Sequence, residues 1–253
     1  MPSTETLTPD QVAQYQRDGF LIVPDLLTAS EAEAFVDHAD ATDASGWRES
    51  LRHHTADASW NAVATTDRVV SIIKQLFESA ETPNIVQTMY MVRPPAGDAV
   101  VGGKGIALHQ DQHYLPTDPA EMIACWIAME DTDPGNGGLC VVPGSHTAGL
   151  LQTHRNADDE EHDSWETDHL MRDRDGREWT QSFYSFDIEG LDESTITCLT
   201  IPRGAGVFFD SHTIHGSYGN RSKDRIRRAF ATHYVPPHAW VARADVQDVV
   251  PAA

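Results

Sequence analysis

From about residue 84 onward the chain is a succession of short β-like runs broken by glycine and proline, and this pattern leaves few folds open. The runs fall at 85–92, 105–109, 122–129, 139–142, 196–201, 205–209 and 228–235. Repeated short strands separated by turn signals predict a sandwich or barrel. No internal repeat is evident. With 253 residues and 40% hydrophobic content, residues 1–253 are expected to form one domain with a real core.

The part before residue 84 is helical in character. Thr8-Pro9-Asp10-Gln11 sets a capping residue, a helix-compatible proline and a capping-box glutamine in order, and Gly19 supplies a stop. Residues 20–23 look like a short strand, and Thr28-Ala29-Ser30-Glu31 repeats the capping box ahead of a helix over 32–39. Between 67 and 77 the residues Val69, Val70, Ile72, Ile73, Leu76 and Phe77 recur three or four apart, the mark of one buried helical stripe. A polar, acidic stretch at about 152–193 is too long for a turn and is expected to be an active-site lid or a surface insertion. Its Asp173-Arg174-Asp175-Gly176 run is not a calcium loop, because with Gly176 sixth, Ser182 stands where the bidentate Glu belongs.

The formal net charge of −21 disfavours polyanionic partners, since binding phosphates needs a surplus of Lys and Arg. Nucleic acid and membranes are therefore not expected partners, and a small-molecule substrate is; nothing speaks for or against self-association. Cys125, Cys140 and Cys198 form no C-x-x-C pair and are odd in number, which predicts neither a disulfide framework nor a cysteine zinc site. Residues 1–10 lack a basic stretch followed by an apolar core, and a cytoplasmic setting is the expectation.

The chemistry concentrates in His109-Gln110-Asp111-Gln112-His113. On an extended backbone residues two apart point the same way, so His109 and Asp111 would converge, and His113 would share their face. Two imidazoles and one carboxylate on one side leave an Fe(II) ion the open positions that O2 activation needs. Among thirteen histidines, a solvated or core-satisfied role is the default, and His53, His54, His154, His162 and His169 take it. His212 and His215 follow the run at 205–209 and lie on opposite faces of any continued strand, so periodicity does not choose between them.

The run from His109 to Tyr114, then Gly137-Gly138-Leu139 with Pro143-Gly144-Ser145-His146, then His215-Gly216-Ser217 followed by Asn220 and Arg227-Arg228-Ala229, resembles the phytanoyl-CoA dioxygenase family. The likeness runs in order from about Leu7 to Pro236. It implies a mainly β fold with flanking α, a double-stranded β-helix (a cupin-like jelly roll) with the N-terminal helices packed outside. It also implies that His109, Asp111 and His215 hold Fe(II), leaving His212 a bystander. Arg227 matches the arginine that grips the far carboxylate of 2-oxoglutarate, a task suited to a bidentate fork. Ser217, Met89, Gln110 and Trp126 match further co-substrate contacts, and Gln87 and His113 are candidate substrate contacts. The chain carries one residue more than the family pattern between Asn220 and the Arg pair, which leaves Arg225 as a competitor to Arg227. The proline-glycine-serine-histidine motif is expected to shape a turn at the barrel mouth.

The implied reaction consumes 2-oxoglutarate and O2, releases succinate and CO2, and hydroxylates or desaturates an unactivated C–H bond. A carboxylate at Asp111 favours these outcomes over halogenation, for which related enzymes carry a small residue there. The negative charge makes a CoA ester the less comfortable substrate and a small metabolite or natural-product intermediate the better one. Competing readings are an acyl-CoA hydroxylase, a non-catalytic metal- and 2-oxoglutarate-binding sensor barrel, and a cupin-like enzyme using more histidines and no 2-oxoglutarate.

Overall fold

The computed structural model describes residues 6–42 and 51–253. Its helices are α1 (Pro9–Asp18), α2 (Ala29–Ala41), α3 (Ala58–Ala64), α4 (Asp67–Leu76) and the single turn α5 (Asp111–Tyr114). The first strands are β1 (Phe20–Val23), β2 (Asn84–Arg93), β3 (Ile106–His109), β4 (Thr117–Asp118), β5 (Ile123–Ala128) and β6 (Leu139–Val141). The acidic stretch supplies β7 (Thr153–Arg155), β8 (Glu166–Arg172), β9 (Glu178–Tyr184) and β10 (Phe186–Ile188). Then come β11 (Thr197–Cys198), β12 (Gly206–Asp210), β13 (His215–Ser217), β14 (Arg227–Val235), β15 (Trp240–Val241) and β16 (Val250–Pro251).

Local signals place the helices. Thr8 and Thr28 each accept a hydrogen bond from the backbone N–H three residues on, while Gln11 and Glu31 reach back to them, so both capping boxes are complete. Gly19 ends α1 at φ 78°, where a Cβ would stand 2.4 Å from the His146 ring and 2.6 Å from the Thr213 hydroxyl. Only glycine meets both demands.

Two antiparallel sheets form the double-stranded β-helix. One has the order β1-β12-β5-β14-β2-β16 and the other β11-β6-β13-β3. Alternation along the strands sorts residues to its two sides. On β5, Ile123, Cys125 and Ile127 pack outward with Phe35, Trp60 and Ile72 of the helices. Ala124, Trp126 and Ala128 point inward and join Leu139 and Val141 from the opposite sheet. Phe35, Trp60, Tyr90 and Phe230 meet edge to face with centroids 5.0–5.8 Å apart and fasten α2 and α3 onto β2 and β14.

The acidic stretch is not without regular structure: β7 pairs with β10, and β8 with β9 forms a hairpin. Asp173 accepts from the backbone N–H groups of Asp175 and Arg177 and so builds the hairpin turn itself.

The cysteine expectation is corrected. Cys140 and Cys198 are joined in a disulfide, and Cys125 is free and buried. The two partners sit opposite each other on β6 and β11, a register that linear spacing does not reveal. The link closes a separation of 58 residues. In the chain-entropy picture a loop of that size is worth about 4 kcal/mol. Cys140→Ser should therefore unfold at lower denaturant than the oxidised wild type, and a reductant should destabilise the wild type while leaving the variant unchanged.

Candidate active site

His109 ends β3, His215 begins β13, and the two are direct partners across the ladder. Partners across a ladder share a face, and the two rings meet with centroids 4.4 Å apart. Nδ1 of His109 lies 2.7 Å from the Ala107 carbonyl oxygen, and Nδ1 of His215 lies 3.0 Å from that of Thr213. Donation there leaves each Nε2 with its lone pair turned to the interior. Gly216 permits the close ladder, since a Cβ would stand 2.7 Å from the Ile106 carbonyl oxygen.

After Gln110 the backbone leaves the strand and coils into α5, which swings the Asp111 carboxylate back toward the histidines. Oδ1 lies 3.5 Å from Nε2 of His109 and 3.6 Å from Nε2 of His215. One candidate ligand atom from each residue falls within 4.8 Å of the others, and all three residues are buried. The other oxygen, Oδ2, pairs at 3.1 Å with Nε2 of His233 on β14. Burial alone would raise the Asp111 carboxyl, but His215, His233 and the hydrogen bonds from His109 and His233 hold it well below the usual range. Burial also pushes His215 down to about 4, against the pull of Asp111, which keeps its imidazole neutral. Two imidazole nitrogens and one carboxylate oxygen on one side of a point fit an Fe(II) ion with positions to spare.

A cavity of about 50 Å³ opens beside this triad, lined by Met89, Trp126, Ser217, Arg227 and His233 with the ligands themselves. Arg227 is 2% exposed, donates through Nε to the Gly137 carbonyl oxygen at 3.0 Å, and lies 5.9 Å from the centre of the Trp126 ring. Its Nη1 is buried with no partner. Burial, reinforced by the Arg93 charge, lowers the Arg227 pKa from its ordinary value. An orphaned, desolvated donor beside a metal triad fits the far carboxylate of 2-oxoglutarate. Ser217 accepts from the Ile106 N–H at 3.2 Å and keeps its own hydroxyl proton to offer. Arg225 instead grips Asp133 with both arms, at 2.6 and 3.0 Å, on the surface.

Asn220 explains how the longer loop is accommodated: its amide donates to the carbonyl oxygens of Arg93 and Arg225 and pins the approach to β14. The Pro143-Gly144-Ser145-His146 segment forms a turn whose Ser145 hydroxyl accepts from the N–H of Ile214, the residue before His215. His212 stays on the turn between β12 and β13, against Asp210.

Two expected contacts are placed elsewhere. Gln110 points away from the triad: its amide donates to the carbonyl oxygens of Gly149 and His212 and accepts from the N–H of Leu151. His113 was expected on the His109 face, but the helical turn breaks the two-residue alternation on which that rested. Its ring packs on Phe186 at 5.0 Å, with Nε2 3.0 Å from the Leu151 carbonyl oxygen.

A second cavity of about 270 Å³ shares Met89, His109, Asp111 and His233 with the first. Gln87 and Arg93 from β2, Arg243, and Trp165, Thr167, His169, Phe183 and Ser185 from the acidic stretch line it. Sequence reasoning missed His233 and Arg93, although the alternation was there to find them. His233 lies six residues beyond Arg227 and Arg93 six beyond Gln87, on the same strand faces.

The geometry sets two expectations. His233→Ala should weaken Fe(II) binding about 10–100-fold, as loss of a residue that orients a ligand does, measured by metal titration of the apoprotein. Arg227→Ala should raise the 2-oxoglutarate dissociation constant by the equivalent of about 1.5–3 kcal/mol, whereas Arg225→Ala should leave it unchanged; the reverse order would exchange their roles.

Known proteins resemble this chain in sequence and in fold. The model of the family described as phytanoyl-CoA dioxygenase (PhyH) matches residues 15–229. The peroxisomal phytanoyl-CoA dioxygenase of Rattus norvegicus is 27% identical over 257 residues, covering 90% of this chain and 68% of its own. Among solved structures, the epimerase SnoN with Fe3+, α-ketoglutarate and nogalamycin RO superposes with a TM-score of 0.68 at 17% identity, over 92% of this chain and 85% of its own. EvdO2 from Micromonospora carbonacea var. aurantiaca with 2-oxoglutarate gives 0.67 at 17% identity, over 100% and 98%. At such identities these two structures speak for the fold. The cytoplasmic expectation is corrected here: the rat relative and its bovine, human and mouse counterparts are peroxisomal by name, and the absence of a disulfide on which the expectation leaned does not hold. No helix among the described residues is long and apolar enough to cross a membrane. With the family match running through a complete His109, Asp111 and His215 triad, the chain belongs to the phytanoyl-CoA dioxygenase family of Fe(II)- and 2-oxoglutarate-dependent oxygenases.

Proposed function

We propose that the protein hydroxylates an unactivated C–H bond of a small, largely apolar metabolite. One observation carries this reading: two cavities, of about 50 and 270 Å³, meet at the metal ligands. The smaller ends on Arg227, whose Nη1 lacks a partner, and the larger has walls from Tyr114, Leu115, Trp165 and Phe183. The smaller offers an anion clamp beside the metal ligands, and the larger a chamber with aromatic walls.

The overall balance is 2-oxoglutarate, O2 and substrate C–H to succinate, CO2 and alcohol, with one oxygen atom entering each organic product. O2 is the oxidant, iron once bound would activate it, and the chain supplies position. His109, Asp111 and His215 would hold the metal. Arg227 and Ser217 fix the far end of the co-substrate, with the Trp126 face beside the guanidinium. His233 commits Oδ2 of Asp111, so that Oδ1 alone faces the metal position. Gln87 offers a buried Oε1 without a partner to a polar group of the substrate. The acidic stretch covers the chamber with Trp165 and Phe183, which keeps water from the reacting carbon.

Aerobic incubation with Fe(II), 2-oxoglutarate and a metabolite library should give substrate-dependent succinate, with one 18O atom from 18O2 in each organic product. His109→Ala, Asp111→Ala and His215→Ala should abolish it, and full turnover in any of them would remove that residue from the ligand set. If the acidic stretch closes on a filled site, Fe(II) and 2-oxoglutarate should slow proteolytic cutting between residues 152 and 193; unchanged cutting would make it a fixed wall.

A further inference from the structure

We infer that Arg93 anchors an anionic group of the substrate, a carboxylate or a phosphate, inside the larger cavity; this rests on reading that cavity as the substrate chamber. Arg93 is the last residue of β2 and is only 8% exposed. Its side chain shares the inward face of β2 with Gln87 and Met89 and lines the chamber. Among the described residues no hydrogen bond or ion pair reaches its guanidinium, and its Nε is buried without a partner. The carboxylate whose charge it feels is that of Asp163, which is 72% exposed and bound at 3.1 Å to Lys104. Burial lowers the Arg93 pKa to about 10, which still leaves a cation at neutral pH.

A buried cation that no carboxylate touches is costly even with Asp163 on the same cavity wall, and here the cost is compounded. Arg93 stands directly opposite Arg227 across the β2–β14 ladder, and the two positive charges disfavour each other. The other guanidinium on the chamber wall is no such case: Arg243 closes its fork on Asp245 at 2.9 and 2.7 Å and donates to the Tyr114 carbonyl oxygen at 3.3 Å. Arg93 is thus a cation held ready for a charge that arrives with a ligand.

That ligand is not the co-substrate. Arg227 lines the small cavity and Arg93 only the large one. Gln87, near the metal through its ladder partner His233, lies six residues before Arg93. At roughly 3.4 Å per residue the two positions are about 20 Å apart along the strand. A molecule reaching from one toward the other has an apolar or aromatic body against Trp165 and Phe183 and one anionic end.

Thermal melting of the protein loaded with Zn(II), a redox-inert stand-in, tests this in wild type, Arg93→Met and Arg93→Lys. Without ligands, Arg93→Met should melt above wild type, by about 2–4 °C, because an uncompensated buried charge is gone. With saturating 2-oxoglutarate present, 3-phenylpropionate or 3-phenylpropyl phosphate should raise the wild-type midpoint more than uncharged 3-phenylpropan-1-ol. The better of the two acids names the head group. Arg93→Met should lose that preference for charge, and Arg93→Lys should keep part of it. The proposal is overturned if Arg93→Met melts below wild type, if it retains the preference, if wild type shows none, or if Arg93→Met alone loses its response to 2-oxoglutarate. Absence of any 2-oxoglutarate response in wild type would instead sink the oxygenase reading.

Discussion

The pairing of β3 with β13 is the constraint on which the site depends. It sets His215 directly across from His109, residues more than a hundred positions apart, and brings their rings to 4.4 Å. Neither imidazole chooses its own direction, because each Nδ1 is tied to a carbonyl oxygen two residues earlier in its own chain. The third ligand arrives by a different device. Asp111 is carried in by the turn α5, and His233 then fixes which oxygen faces the metal position. Two ligands are thus placed by sheet register and one by a helical turn locked from a third strand.

That division explains what the sequence could and could not tell. Helices α1, α2 and α4 and most strands of the barrel were legible because their causes are local: capping boxes at Thr8 and Thr28, a 3.6-residue stripe over α4, and apolar runs punctuated by glycine and proline. The ligand triad was legible because two members share one short motif, and the family resemblance supplied the third. Features made by register were not. The Cys140–Cys198 link exists because β6 and β11 lie side by side, and no count of cysteines encodes that neighbourhood. His113 was misplaced through the assumption that the strand runs on past His109, whereas the placing of Gln110 rested on the family resemblance. A backbone that coils two residues early turns one of them onto Phe186 and leaves the other serving the chain at Gly149 to Leu151.

Net charge misleads in a comparable way. A chain at −21 discourages polyanions at its surface, yet the described interior concentrates Arg93, Arg227 and Arg243 around the two cavities. Global charge governs encounter in solvent, where it is screened within about 10 Å at ordinary salt. Inside the barrel the nearest charges decide, and there Arg93 and Arg227 stand opposite each other with buried nitrogens that no carboxylate engages. Surface acidity and an interior that attracts anions are therefore compatible, and together they select for a small anion over an extended polyanionic one.

Strand β14 shows how a single stretch of backbone can serve both ends of such a site. Its inward residues are Arg227, Ala229, Ala231 and His233, a cation and an imidazole separated by two of the smallest side chains. On the outward side Phe230 and Tyr234 fill the helix-facing core. The outward face holds the strand rigid, with the Tyr234 hydroxyl donating to the Ala64 carbonyl oxygen at 2.6 Å. The inward face is left open by design of side-chain size, since larger residues at 229 and 231 would fill the space between the anion clamp and the metal ligands. Stability is thus concentrated on one side of the sheet, and on the other the strand carries a buried guanidinium with an unpartnered Nη1 that a close-packed core would not tolerate.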